Sequence, residues 1–227
     1  MKTVNCLALT ILALFLISCA GLPMGPNAQS EFEKGLALYN DGQYENALPY
    51  FKKATEIDQE FARAYMYMGR SYLNLEKWAD AIPPLWKAFR MSPEETTKEI
   101  GNDLFKAFFG KALSEFKKGN YQGAIDDLRE GLKLKPQSAE ATRELGRTLI
   151  AFGTQLLSDG KIMEALSSFK EAVKVLPDNL EAYLGLARAF FKDGEFMEAL
   201  DTVRKALKID PGSDDARSML LELFRQK

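Results

Sequence analysis

Residues 62–95 have the sequence ARAYMYMGRSYLNLEKWADAIPPLWKAFRMSPEE, and their pattern is the clearest indication of the fold. In its first half Tyr65, Gly69 and Tyr72 lie at i, i+4 and i+7, which is one face of an α-helix. The second half carries a matching face, formed by Ala81, Leu85 and Ala88. Small side chains let two helix backbones approach closely, and large ones fill the space around them. The stretch therefore predicts two packed helices joined by a tight turn.

The same pattern recurs along the chain. An alanine begins each second helix, at Ala47, Ala81, Ala124, Ala165 and Ala199. A large apolar residue follows four positions later, at Phe51, Leu85, Leu128, Phe169 and Val203. A small residue comes three positions after that, at Ala54, Ala88, Gly131, Ala172 and Ala206. Proline, which cannot continue a helix, then stands at Pro93, Pro136, Pro177 and Pro211.

The turns within these units also share a residue type. Glycine, which readily adopts the left-handed conformation that ends many helices, is present at Gly42, Gly119, Gly160 and Gly194. The second unit has Glu76 and Lys77 at its turn instead. That difference predicts a departure in turn geometry at this one place.

This order of aromatic, glycine, tyrosine, alanine, large apolar residue, alanine and proline resembles the tetratricopeptide repeat (TPR), whose period is about 34 residues. The resemblance covers roughly residues 28–213. It implies an all-α fold, a right-handed α-solenoid of about five TPR helix pairs plus a C-terminal capping helix. Within a domain of residues 28–227, the repeats are expected at 28–61, 62–95, 105–138, 146–179 and 180–213, with the cap at 214–227.

The cap is predicted from its own apolar stripe. Ser213 is a candidate N-cap, because its hydroxyl can accept a hydrogen bond from the first turn of a helix that runs to Arg225. The stripe consists of Ala216, Met219, Leu220, Leu223 and Phe224.

The repeat spacing is irregular in the middle of the chain. The marker alanines are 34, 43, 41 and 34 residues apart. The first helix of the fourth repeat is therefore expected to run from about Ala139 to Ser158, with Ser138 as its N-cap. Residues 94–118 predict either one long helix or a break at Gly101 and Asn102. The extra residues either only lengthen these first helices, or they form a raised wall on one edge of the groove or a dimer surface. Lys98 and Arg143 lie near that edge.

The N-terminus has a different character. Lys2 precedes an apolar run, Val4 to Ile17, that is too short for the ~20 residues of a membrane-spanning helix. The run ends in Leu-Ile-Ser-Cys at residues 16–19, which resembles the lipobox of a bacterial lipoprotein signal peptide. Residues 1–18 are expected to be that signal peptide and residues 19–27, rich in glycine and proline, a tether. An ordinary cleaved signal or an uncleaved anchor is the alternative.

The lipobox resemblance implies cleavage before Cys19 and attachment of lipid, including palmitate-type acyl chains, to that cysteine. Several acyl chains together give stable membrane anchoring. Ala20 follows Cys19, and the absence of aspartate there favours the periplasmic face of the outer membrane in the lipoproteins this sequence resembles. The expected location is thus the bacterial cell envelope.

The composition argues against catalysis. The chain has no histidine and two cysteines, Cys6 in the signal segment and Cys19 at the lipid site. These absences remove histidine-based acid–base chemistry, cysteine nucleophiles and the usual zinc sites. No cofactor or metal is expected, and a net charge of −2 without basic runs argues against nucleic acid. The sequence therefore favours a non-enzymatic protein.

In the TPR family the first helices line a concave groove that takes peptides or helices. The corresponding positions in this sequence are Phe32, Leu36, Tyr39, Met66, Arg70, Leu73, Phe109, Leu113, Phe116, Ile150, Thr154, Leu157, Leu184, Arg188 and Phe191. Basic residues accompany them at Arg63, Lys106, Lys117, Arg147 and Lys192. The expected partner is a protein or peptide that offers an amphipathic segment with an acid for the arginines.

Three functions remain open at this point. The first is a non-catalytic, lipid-anchored scaffold or adaptor for protein–protein interactions in the envelope. The second is a pilotin-like assembly factor for an outer-membrane secretin or pilus system. The third is a small-ligand or glycan binder, which should have a deep, closed pocket rather than an open groove.

Overall fold

The computed structural model describes residues 27–225, which form eleven α-helices and no strand. The helices are α1 Ala28–Asn40, α2 Tyr44–Ile57, α3 Ala62–Asn74, α4 Trp78–Met91, α5 Glu94–Lys117, α6 Tyr121–Leu134, α7 Ala139–Ser158, α8 Ile162–Val175, α9 Leu180–Asp193, α10 Phe196–Ile209 and α11 Asp214–Arg225. The all-α prediction is confirmed. The predicted signal peptide, Cys19 and nearly all of the tether lie outside the described residues.

Each helix packs mainly against its neighbours in the chain, which is the arrangement of a solenoid. The odd-numbered helices also contact one another, in the pairs α1–α3, α3–α5, α7–α9 and α9–α11. Contacts of similar extent between even-numbered helices are not found within residues 27–225. The odd-numbered helices therefore form the inner, concave layer, and the even-numbered helices form the outer layer.

Close approach within a pair depends on glycine in the first helix. A Cβ atom added at Gly69 would lie 2.5 Å from Cγ of Leu85 on the second helix. The same relationship holds between Gly153 and Phe169, where the added Cβ would lie 2.9 Å from the ring. These large side chains are fully buried, as the sequence pattern predicts.

The turn in the second pair keeps the geometry of the others, and the predicted departure is wrong. Glu76 has φ = 54°, in the left-handed region that Gly119 occupies at φ = 78° in the third pair. Its N–H donates to Leu73 O over 3.0 Å, as the N–H of Gly119 donates to Phe116 O. Helix packing thus imposes the turn on a residue that does not favour it.

The two lengthened helices are continuous. α5 runs through Gly101 without a break, so the long-helix alternative is correct. Ile100 and Leu104 in its first half are buried in the cluster that contains Leu85, which explains why the extension stays helical. α7 covers the predicted residues, and the Ser138 hydroxyl accepts from Ala141 N over 3.3 Å.

The capping helix α11 also has its predicted bounds. The Ser213 hydroxyl accepts from Ala216 N over 3.2 Å, which confirms the N-cap. Met219 and Leu223 are buried against α9 and α10. Phe224 is a correction: it is 53% exposed, because it lies about 100° around the helix from the buried Leu223, at the edge of the apolar stripe.

Candidate functional site

A cavity of about 770 Å³ opens on the concave layer between α3 and α5. Its walls are side chains of those two helices, and single residues from α1, α4 and α7 close its ends. We call it the α3–α5 cavity, and its lining residues are Tyr39, Arg70, Leu73, Asn74, Trp78, Glu99, Asn102, Asp103, Phe105, Lys106, Phe109, Gly110, Leu113 and Glu140.

An ion-pair network crosses the α3–α5 cavity. Arg70 Nε donates to Asp103 Oδ2 over 2.7 Å, and Arg70 Nη2 donates to Glu99 Oε1 over 2.6 Å. The Arg70 and Asp103 side chains are only 16% and 9% exposed. Burial alone would lower the pKa of Arg70, but the bonds from Asp103 and Glu99 outweigh it and raise the pKa. Arg70 is therefore held by its own chain.

The extension of α5 creates this network. Glu99 lies within the added first part of α5, and Asp103 follows it by one helical turn. In an α-helix, residues four positions apart share a face. Both carboxylates therefore point at α3, and the lengthened helix brings them over Arg70.

The apolar side of the cavity is aromatic. Phe109 stacks on Phe105 with ring centroids 5.8 Å apart and an interplanar angle of 12°. Leu113 continues this wall one turn further along α5. At the opposite end, the Tyr39 hydroxyl accepts from Asn74 Nδ2 over 3.3 Å, and burial raises the pKa of Tyr39. The cavity thus offers apolar contact area beside polar groups that fix orientation.

The charged lining of the cavity is more acidic than basic. Glu99, Asp103 and Glu140 are its carboxylates, and Arg70 and Lys106 are its cations. Lys106 Nζ also lies 3.5 Å from Asp103 Oδ1. Because both cations are already paired, the cavity presents a net negative field to anything that enters it.

The family of this chain follows from its repeats. A family model described as tetratricopeptide repeat matches residues 32–95, 109–155 and 150–214. The chain belongs to the tetratricopeptide repeat family. TPR solenoids use their extended concave surfaces to bind other proteins, so the α3–α5 cavity lies on the surface the family uses.

Two sequence relatives and one structure illustrate the likeness. DnaJ homolog subfamily C member 3 of Gallus gallus is 27% identical over 223 residues, 80% of this chain and 43% of that protein. Stress-induced-phosphoprotein 1 of Caenorhabditis elegans is 26% identical over 182 residues, 73% of this chain and 57% of that protein. This chain thus spans about half the length of these relatives.

The solved structure of a TPR repeats protein from Bacteroides fragilis is similar in fold. It aligns with a TM-score of 0.62 at 17% identity, covering 88% of this chain and 99% of the other. At this identity the likeness establishes the fold.

The predicted groove residues of this TPR protein divide into three groups. Four are core residues with 1–9% exposure: Phe32, Ile150, Leu157 and Leu184. Phe32 is buried because it packs against the rings of Phe51, Phe61 and Tyr67. Five line the α3–α5 cavity: Tyr39, Arg70, Leu73, Phe109 and Leu113. The remaining partly buried ones are Leu36, Met66, Phe116 and Phe191, while Thr154 and Arg188 are exposed.

A second concave cavity of about 580 Å³ lies near the C-terminal end of the solenoid. It brings together Leu157, Arg188 and Phe191 with residues of α11. Arg188 Nη2 lies 3.7 Å from Asp215 Oδ2. The predicted groove is therefore split into two separate cavities.

Three residues of the cavity, Glu99, Asp103 and Trp78, were not predicted from the sequence. Glu99 and Asp103 form an i, i+4 acidic pair inside the extension, and Arg70 on the preceding first helix was the available sequence signal for a partner. Trp78 begins α4, and it lies so close to α5 that a Cβ on Gly110 would be 2.5 Å from its ring. A position at the start of a second helix gives no sequence signal that it reaches the concave side.

Metal ligation and membrane spanning find no support in the described part of the chain. No group of three or more His, Cys, Asp or Glu side chains between residues 27 and 225 could hold a metal ion. Over the same residues, no helix has the length and apolar character that crossing a bilayer requires.

Proposed function

We propose that this TPR protein is a non-catalytic scaffold that binds a protein segment in its α3–α5 cavity while a lipid on Cys19 holds it in the bacterial envelope. The observation that carries the proposal is the cavity itself, on the concave layer of a TPR solenoid, with an aromatic wall and an acidic rim. Aromatic anchors supply much of the affinity at protein interfaces.

The charge of the cavity changes the expected partner. Arg70 is bonded to both Glu99 and Asp103, so it does not offer a free guanidinium to an acidic group. The excess carboxylates favour a segment with an apolar anchor next to a lysine or arginine. The anchor packs against Phe109, and the basic group lies towards Glu99 and Glu140, where it supplies orientation and association rate.

The tether is the second part of the proposal. Residues 16–19 and Ala20 support a lipoprotein that faces the periplasm from the outer membrane. Changing Cys19 to Ala should leave unprocessed precursor or soluble protein, because the lipid acceptor is gone. Mature Cys19→Ala protein that still fractionates with the outer membrane would contradict the lipid anchor.

The binding part is tested by affinity capture of the full chain from its own envelope, followed by mass spectrometry. Phe109→Ala is the test variant, and Met163→Ala is the control, because Met163 is 70% exposed on the outer layer. Truncation of an anchor costs roughly 2 kcal/mol or more, so partner recovery should fall at least tenfold for Phe109→Ala only.

The identity of the captured proteins separates the scaffold from an assembly factor. Several soluble proteins recovered together support a scaffold. A single client, combined with loss of one multimeric outer-membrane channel when the protein is deleted, supports a pilotin-like role instead. Equal recovery with both variants would contradict binding in the α3–α5 cavity.

A further inference from the structure

Arg147 lies at the junction of the two lengthened helices, α5 and α7. Its guanidinium lies over the ring of Phe116 on α5, with Cζ 5.2 Å from the ring centroid. The Phe116 ring is itself packed edge-on against Tyr121, with ring centroids 5.3 Å apart. A guanidinium that lies on an aromatic ring keeps its N–H groups for hydrogen bonds in its own plane. The ring therefore holds Arg147 in place without using its donors.

The donors of Arg147 are also left by the carboxylates of its own helix. Glu144 Oε2 lies 3.7 Å from Arg147 Nη1, which is longer than a hydrogen bond. Arg70, in contrast, donates to Asp103 and Glu99 over 2.7 and 2.6 Å. The Arg147 side chain is 66% exposed, against 16% for that of Arg70. Arg147 is therefore placed to bind an acid of another molecule, and Arg70 is not.

The walls of the α3–α5 cavity lead directly to Arg147. Glu140 of α7 lines the cavity, and Arg147 follows it by seven residues, which is two turns along the same face of the helix. On α5, Leu113 lines the cavity and Phe116 follows it by three residues. Arg143, one turn before Arg147, is also exposed. A segment that leaves the cavity along α7 therefore passes two arginines.

We propose, as an inference that rests on the proposed function, that Arg147 binds an acidic side chain of the same protein segment whose apolar and basic residues occupy the α3–α5 cavity. Two turns of α7 separate Glu140 from Arg147 by about 10 Å. An extended chain advances about 3.3 Å per residue. The acid of the segment therefore lies about three residues from its lysine or arginine, on either side.

The charges of the two positions also select their order. An acid placed in the cavity would face Glu99, Asp103 and Glu140. A basic residue placed at the junction of α5 and α7 would face Arg143 and Arg147. Like charges brought together at an interface suppress the binding of a wrong partner. The basic residue therefore belongs in the cavity and the acid belongs at Arg147.

The first test is selection from a library of random twelve-residue peptides displayed on phage, with the purified full chain in mild detergent as bait. Peptides enriched by the parent should share an apolar residue, a lysine or arginine, and an acid three or four residues from that cation. Arg147→Glu should still enrich the apolar and basic residues, but without the acid. Arg90→Glu is the matched control and should select the same peptides as the parent, because Arg90 is exposed on the outer helix α4.

The possible failures of this selection are distinct. Parent-selected peptides that carry the apolar and basic residues without an acid at a fixed spacing would overturn the role of Arg147 and leave the cavity proposal intact. An acid that is still enriched with Arg147→Glu would overturn the same role. A selection that enriches no apolar and basic pair would overturn both proposals.

The contact itself is measured with one enriched peptide by fluorescence anisotropy. Replacing its acid by the corresponding amide should weaken binding to the parent at least about tenfold. Arg147→Gln should bind the acid and amide forms equally, because the cation that distinguishes them is gone. Arg147→Glu should regain affinity for a peptide in which lysine replaces the acid. Circular dichroism confirms that each variant is folded, and a parent that binds both forms equally would overturn the contact.

Discussion

Arg70 Nε donates to Asp103 Oδ2 over 2.7 Å, and this bond joins α3 to α5 across the α3–α5 cavity. Both side chains are mostly buried, so the bond pairs two opposite charges that have little access to water. The bond stabilises the junction of the second and third repeats and removes Arg70 from the groups available to a ligand. One interaction thus determines both the shape and the charge of the cavity.

Removing the Arg70 side chain should destabilise the protein. Arg70→Ala leaves the Asp103 carboxylate buried without its main partner, and breaking a buried pair in this way costs about 3 kcal/mol. Arg129→Ala is the control, because Arg129 also joins two repeats through Glu171 but is 43% exposed. Losing that surface pair should lower the free energy of unfolding by no more than about 1 kcal/mol. Urea unfolding followed by circular dichroism measures both, and equal losses would show that the Arg70 network adds no special stability.

Replacing Glu76 with glycine should stabilise the turn between α3 and α4. Glu76 has φ = 54°, which costs a residue with a side chain roughly 1–2 kcal/mol. Part of that gain is lost because glycine is freer in the unfolded chain. We expect a net gain of about 0.5–1 kcal/mol in the free energy of unfolding, and Gly119→Ala at the equivalent turn should lose a similar amount. A loss of stability in Glu76→Gly would mean that its side chain makes contacts more valuable than the strain.

Two glycines on first helices should respond in opposite ways to alanine. A Cβ on Gly69 would lie 2.5 Å from Leu85 Cγ, so Gly69→Ala overpacks the pair and should cost about 1–3 kcal/mol. A Cβ on Gly101 would lie 3.6 Å from Phe89, which is ordinary contact. Gly101→Ala should therefore gain up to about 1 kcal/mol from helix propensity. Thermal unfolding of both variants tests this difference. Melting temperatures that change in the same direction in both variants would contradict the packing argument.

Asp127 should make stability depend on pH. Lys111 Nζ donates to its Oδ1 over 2.6 Å, while Oδ2 is buried without a hydrogen-bond partner among the described residues. Burial raises the pKa of Asp127 above the ordinary value of 3.8, and the bond from Lys111 offsets only part of this. The folded protein therefore binds the Asp127 proton more tightly than the unfolded chain does. The contribution of Asp127 to the free energy of unfolding therefore increases as the pH falls, and it is lost as the pH rises through the raised pKa.

Asp127→Asn removes this titration. The parent should gain stability relative to Asp127→Asn as the pH falls from 7 towards 4. The measurement is the free energy of urea unfolding at several pH values. Asp126→Asn controls for the loss of one negative charge on the same helix. A difference between parent and Asp127→Asn that stays constant, or that shrinks at low pH, would contradict the assignment.

The sequence predicted the helices well because the repeat pattern is local. Gly69 and Leu85, which belong to one repeat, indicate a closely packed helix pair. Ser138 and Ser213 indicate the starts of the helices that follow them directly. The cavity was harder to predict, since it depends on pairs such as Arg70 and Asp103 that lie 33 residues apart. The extension of α5 shifts the repeat register between them, so equivalence between repeats did not place Asp103 opposite Arg70.

The prediction that all of these positions face an open groove was wrong for a related reason. Phe32 and Ile150 were placed on the concave face by their spacing, yet both are buried between neighbouring repeats. Spacing along one helix gives the direction of a side chain but not the distance to the next repeat. That distance is set by side chains on other helices, such as Phe61 and Tyr67 around Phe32.

Binding of a protein segment in the α3–α5 cavity can be tested by site-specific photo-crosslinking in living cells. A benzoylphenylalanine in place of Phe109 puts the reactive ketone in the α3–α5 cavity, and the same residue in place of Met163 puts it on the exposed outer layer. We predict a discrete protein adduct at position 109, and none of the same mass at position 163. Adduct formation should disappear when the aromatic wall is broken by Leu113→Asp in a folded protein. Adducts of equal yield at both positions, or none at position 109, would contradict binding of a protein segment in the cavity.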